Sequence, residues 1–77
     1  TGGSRGIGRA SALAFAGAGA DIAFCHFEDG AQARTVAAEI EARGRRAFEM
    51  HADVASTAET AAFAAAAERA LGPCDIL

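Results

Sequence analysis

The chain has 77 residues, 52% of them apolar, and a formal net charge of -3. That length holds at most one small domain, and because many apolar residues are alanine the core is small. The acidic balance argues against a nucleic-acid or anionic-membrane surface, no apolar run nears the roughly 20 residues of a membrane span, and Cys25 and Cys74 form no CxxC or metal-ligand pattern.

The first helix signal lies inside the glycine-rich opening, TGGSRGIG. Ile7, Ala10, Ala14 and Gly17 follow helical spacing with Leu13 beside them, which predicts an inward stripe, and Gly17 and Gly19 mark the end. Asp21–Cys25 reads as a short, mostly buried strand. Asp29, with Gln32 three residues on, resembles a helix N-cap, and Ala33, Val36, Ala37 and Ile40 form an apolar stripe before Gly44. Arg46–Asp53 reads as a second strand with Phe48 and Met50 on one face. Ser56 and Glu59 have capping-box spacing; the helix they open carries Phe63, Ala67, Ala70 and Leu71 and ends at Gly72-Pro73. Asp75–Leu77 reads as the start of a further strand. Helices alternating with strands predict an α/β fold with a parallel sheet.

A glycine-rich loop running into a helix suits a phosphate group. Glycine leaves the backbone uncovered, and the helix head offers free N–H groups and the positive end of its dipole. Gly2, Gly6 and Gly8 have the spacing G-x3-G-x-G: a tight turn, a close approach to pyrophosphate, and close packing of helix and strand. Gly3–Ala10, GSRGIGRA, comes near a P-loop, but Arg9 and Ala10 replace the lysine and hydroxyl that such a loop needs for phosphate and magnesium. A glycine turn without ligand is the plain alternative; the alternating elements downstream favour the dinucleotide reading.

TGGSRGIGRA resembles the TGxxxGxG cofactor loop of the short-chain dehydrogenase/reductases. HADV (His51–Val54) looks like the segment after that family's third strand, and LGPCDIL (Leu71–Leu77) like the approach to its fourth. The intervening EDGAQARTVAAEIEARGRRA is similar to the 3-oxoacyl-[acyl-carrier-protein] reductase-like branch. The resemblance implies a Rossmann-like doubly wound parallel sheet, here a partial NAD(P)-binding domain over residues 1–77 whose first strand and C-terminal half lie outside this sequence. The family's catalytic serine and YxxxK pair are expected there too, since this chain has no tyrosine or lysine. No catalytic residue and no metal ligand is assigned to it.

By the same resemblance, Gly2, Gly6, Ile7 and Gly8 shape the loop and present backbone to the pyrophosphate. Ser4 and Arg5 lie beside the adenosine ribose. Asp53 accepts from the adenine amino group, and Val54 flanks the ring. Asp53 as a turn cap and Arg5 as a solvated arginine are the structural alternatives. NAD enzymes of this fold carry an acid at the end of the second strand. His26 stands there instead, read as a loop histidine without a special role, while Glu28 and Asp29 suit the head of the next helix. Arg5 can pair with a 2′-phosphate. The expected cofactor is NADP, with NAD possible. The expected function is short-chain carbonyl reduction or alcohol oxidation of a small-molecule substrate, in a homo-oligomer without nucleic-acid or membrane partners. A non-catalytic dinucleotide sensor is the alternative. No signal peptide pattern opens the chain, so a cytoplasmic location is expected.

In the family's sheet order, 3-2-1-4, Cys25 and Cys74 are two strand spacings apart, about 9.6 Å. That exceeds the roughly 7 Å limit for a disulfide, so free thiols are expected, each packed as a small hydrophobe. With the central strand outside the sequence, the isolated chain is expected to be partly helical and poorly cooperative.

Overall fold

The computed structural model describes residues 1–77. In chain order the elements are α1 (Gly6–Gly17), β1 (Ile22–His26), α2 (Gly30–Ala42), β2 (Ala47–His51) and α3 (Thr57–Leu71). The two strands pair in parallel, Ile22 opposite Ala47 and His26 opposite His51. The first strand has the expected length but lies one residue further on, beginning at Ile22 and taking in His26, whereas the second is shorter than expected: Arg46 precedes it, and Ala52 and Asp53 follow it outside the strand.

Alternation along the strands sorts side chains to two faces. Phe24 faces one way and joins Ala12, Ala16, Ala33, Val36 and Ile40 in the core. The α2 stripe read from the sequence is correct, with Ala33, Val36 and Ile40 fully buried. Phe48 faces the other way and stacks on Phe63 of α3, ring centroids 6.3 Å apart. Helix α3 touches both strands and neither of the other helices. The strands therefore lie between α1 and α2 on one side and α3 on the other, as crossover connections require.

The inward face of α1 differs from the sequence expectation. Ile7 is 87% exposed and Ala10, Ala14 and Gly17 are also exposed, whereas Ala12 and Ala16 are buried. The reason is that α1 leans on α2 as well as β1. The face between them carries Arg9, Ala12, Leu13 and Ala16, the two buried alanines allowing close approach. Arg9 closes the seam through a two-pronged salt bridge to Glu39, Nη2 to Oε2 at 2.5 Å.

Ser56 caps α3 as expected, its Oγ accepting from the Glu59 N–H at 3.2 Å. Gly72, at φ 91°, ends that helix. Asp75–Leu77 forms no strand, because the sheet is β1-β2 alone and offers no third strand to pair with. Both cysteines are free, as expected, but only Cys25 is buried; Cys74 is exposed rather than packed, since the segment carrying it lies on no other element. Thiol titration of the native protein should therefore find one fast group, Cys74, and a second that reacts only on unfolding. Two fast groups, or none, would contradict this arrangement.

An ionic clip joins the entries of the two strands. Asp21 Oδ1 accepts from the Arg46 backbone N–H at 2.9 Å, and Oδ2 from Arg46 Nε at 3.0 Å. Arg45 Nη2 adds a contact of 2.9 Å, and Arg46 Nη2 donates to the Leu71 carbonyl at the end of α3. The Arg46 amide first, then its guanidinium, holds the Asp21 carboxyl below the usual carboxylate range. A lowered folded value means the stabilisation is fully present above the unfolded value of about 3.9 and fades as pH falls through the folded one. Denaturant midpoints should fall between pH 5 and pH 2, and Asp21→Asn should flatten part of that slope. An identical slope in the variant would refute the assignment.

Candidate functional site

The site forms where both strands end. The glycine loop runs across the end of β1, the Gly3 N–H donating to the Cys25 carbonyl at 3.4 Å. Gly3 is buried against Phe24; a Cβ there would lie 2.6 Å from the Phe24 Cβ. Beside this contact the Ala52 N–H donates to the His26 carbonyl at 2.9 Å and keeps the post-strand turns together. Between them opens a cavity of about 310 Å³ lined by Thr1, Gly2, Cys25, His26, Phe27, Ala52, Asp53 and Val54. A crevice outside the carboxyl ends of parallel strands is where open α/β sheets bind ligands.

Gly2 and Gly6 occupy the left-handed region, φ 61° and 54°, which side chains rarely adopt. Gly8 is held by proximity instead: a Cβ there would collide with the Gly2 carbonyl. It thus packs against the loop's own backbone, not against a strand as the spacing suggested. Arg5 stands at the N-cap of α1 and makes no side-chain cap, and the Gly6, Ile7 and Gly8 amides have no partner in the chain. Three bare N–H groups at a helix head suit an anion such as a diphosphate.

Ser4 and Arg5 are tied down rather than free. The Ser4 hydroxyl, 3% exposed, donates to Asp29 Oδ2 at 3.0 Å, and Arg5 Nε meets the same oxygen at 2.7 Å. Asp29 holds the N-cap position of α2 as expected, yet its carboxylate makes no cap bond because it serves the loop instead. Glu28 sets the turn that brings it there, with φ 62°, a conformation costing about 1 kcal/mol for a residue with a Cβ. Arg34 folds back over the head of α2, its Nη1 3.4 Å from where a Cβ on Gly30 would sit.

His26 is not a loop residue. It ends β1, is 7% exposed, and shares a 2.5 Å hydrogen bond through Nε2 with Glu49 Oε2. Its Nδ1 is buried without a partner. His51 sits edge-on to it and stacks beside Phe27, centroids 6.1 and 5.3 Å apart. Asp53 Oδ1 caps its own turn by accepting from the Ala55 N–H at 2.9 Å, so the turn-cap alternative is realised, and the residue still borders the cavity. Val54 is 58% exposed at the rim.

Of the residues expected to hold a ligand, Gly2, Asp53 and Val54 line the cavity and Gly6, Ile7 and Gly8 form the helix head. Ser4 and Arg5 belong to the clamp on Asp29. Gly3, Asp29 and Glu49 were not singled out for the site. Gly3 lay within the motif itself, but nothing in the sequence shows that Asp29 and Glu49 reach Arg5 and His26 across the fold.

The short chain dehydrogenase family profile matches residues 1–77. An uncharacterized oxidoreductase of Mycobacterium tuberculosis (strain CDC 1551 / Oshkosh) is 46% identical over 77 residues, which is all of this chain and 29% of that protein. An L-rhamnose 1-dehydrogenase (NAD(P)(+)) of Sphingomonas sp. (strain SKA58) is 40% identical over the same span, 30% of its length. Acetoin dehydrogenase from Enterobacter cloacae superposes with a TM-score of 0.90 at 33% identity, covering 99% of this chain and 31% of that one. The chain thus spans less than a third of the length of these relatives. The chain, matched by the family profile over its whole length, belongs to the short-chain dehydrogenase family.

Proposed function

We propose that this chain binds the adenosine and diphosphate half of NADP in a short-chain oxidoreductase that reduces a carbonyl or oxidises an alcohol. The observation that carries the reading is the set of unpartnered Gly6, Ile7 and Gly8 amides beside a strand-end cavity. These amides grip the diphosphate, Val54 and Asp53 border the adenine, and Arg5 supplies positive charge near the ribose, with Arg34 a second cation at the head of α2. NADP, when bound, supplies or accepts hydride at the nicotinamide. The acid for the reacting oxygen comes from outside these residues, since the chain has no tyrosine or lysine.

Within the family we place the protein nearest the 3-oxoacyl-[acyl-carrier-protein] reductase-like branch, on the likeness of residues 28–47, acting on a small-molecule substrate in a cytoplasmic homo-oligomer. The relative named for NAD(P)(+) supports a nicotinamide cofactor without deciding between the two forms.

Gly6→Val and Gly8→Val in the oxidoreductase carrying this chain should each weaken NADP binding at least tenfold, about 1.4 kcal/mol, with far-UV circular dichroism unchanged. Affinity that survives both substitutions would overturn the site. Steady-state kinetics should show a higher kcat/KM with NADP than with NAD; NAD used tenfold better would reverse the cofactor assignment.

A further inference from the structure

We infer that Asp29 sets the margin between NADP and NAD by holding Arg5 in an ion pair that an incoming 2′-phosphate must share. The inference rests on the dinucleotide reading above and names a specificity-determining residue within it. Arg5 is the cation placed by that reading at the ribose corner. Its Nε is engaged by Asp29 Oδ2 at 2.7 Å, while the side chain remains 72% exposed and its terminal nitrogens make no bond. A phosphate can therefore reach the fork of the guanidinium but meets the Asp29 charge directly behind it.

The carboxylate is fixed in place. The same Oδ2 accepts from the Ser4 hydroxyl, which is buried, so swinging Asp29 aside leaves that hydroxyl without its partner. Its backbone anchors it as well: Asp29 opens α2, its carbonyl accepting from the Ala33 N–H at 2.8 Å. The Arg5 guanidinium is accordingly matched by the Asp29 carboxylate directly behind it, while Arg34 lies further along the head of α2. A ribose hydroxyl makes no electrostatic demand on such a pair. A phosphate carrying close to two negative charges is attracted by Arg5 and repelled by Asp29 at nearly the same distance. Asp29 thus tempers an NADP preference that Arg5 creates, and removing its charge should raise NADP affinity while leaving NAD affinity in place.

The test compares Asp29→Asn, which keeps an oxygen for Ser4, with Asp29→Ser, which supplies a helix cap in its place. Both are made in the oxidoreductase carrying this chain, and dissociation constants for NADP and NAD are measured by fluorescence titration at low salt. The NADP-to-NAD affinity ratio should rise about tenfold, equivalent to about 1.4 kcal/mol, with the NAD constant changed less than about twofold. NAD binding doubles as the check that each variant is folded, and either variant suffices. A purely structural role for Asp29 loosens the loop for both nucleotides alike and leaves the ratio where it was. A ratio that rises less than about threefold, or falls, in a variant that still binds NAD overturns the inference. Wild-type protein that binds neither nucleotide sinks the dinucleotide reading itself, a result distinguishable from a wild type that binds with an immovable ratio.

Discussion

Where Gly8 meets the Gly2 carbonyl there is no room for a side chain, and the opening of the molecule is built around that contact. It turns the chain sharply enough for α1 to start with its amides uncovered. A side chain on Gly8 would push the loop off the helix head, and one on Gly3 would lift it from Phe24. The loop is thus seated at two points, on its own helix and on the strand beneath. Because both contacts are of backbone on its neighbours, the bare N–H groups are held in place by the fold itself.

Charge at the head of α2 follows from a competition over one carboxylate. Asp29 stands where a helix cap belongs, and a cap bond is typically worth about 1 kcal/mol. It instead accepts a charge-assisted hydrogen bond from a buried hydroxyl, stronger than a neutral one, and forms an ion pair with a guanidinium. The head of α2 is left uncapped as a result. The neighbouring His26–Glu49 pair shows the same economy of design at the end of β1: a buried ring is oriented by a carboxylate from the adjacent strand, one of its nitrogens committed and the other unpartnered.

The two ends of the sheet do different work. At the strand entries, Asp21, Arg45, Arg46 and the Leu71 carbonyl tie β1, β2 and α3 together through exposed charge. Such contacts fix geometry more than they add stability. At the strand exits, the glycine loop and the segment after β2 frame a cavity bordered by His26, Phe27 and Val54. The stable core lies between, formed by Phe24 and the α2 stripe with alanines from α1.

Much of this was legible in the residues alone. Helical spacing exposed the α2 stripe, because Ala33, Val36 and Ile40 recur at helical intervals and form one continuous apolar face. The capping pair Ser56 and Glu59 and the stop at Gly72 are local, so sequence carries them in full. The glycine spacing announced an uncovered helix head for the same reason: φ and the absence of Cβ are properties of one residue at a time. What the sequence by itself determined, then, was the order of elements, their parallel α/β arrangement and the uncovered helix head behind the glycine loop. The roll of α1 was decided only by tertiary structure, since it depends on sharing one face between β1 and α2. So were the burial of His26, the capture of Arg5 by Asp29 and the reach of Glu49, because each joins residues more than 20 positions apart whose approach is set by packing, not by spacing along the chain.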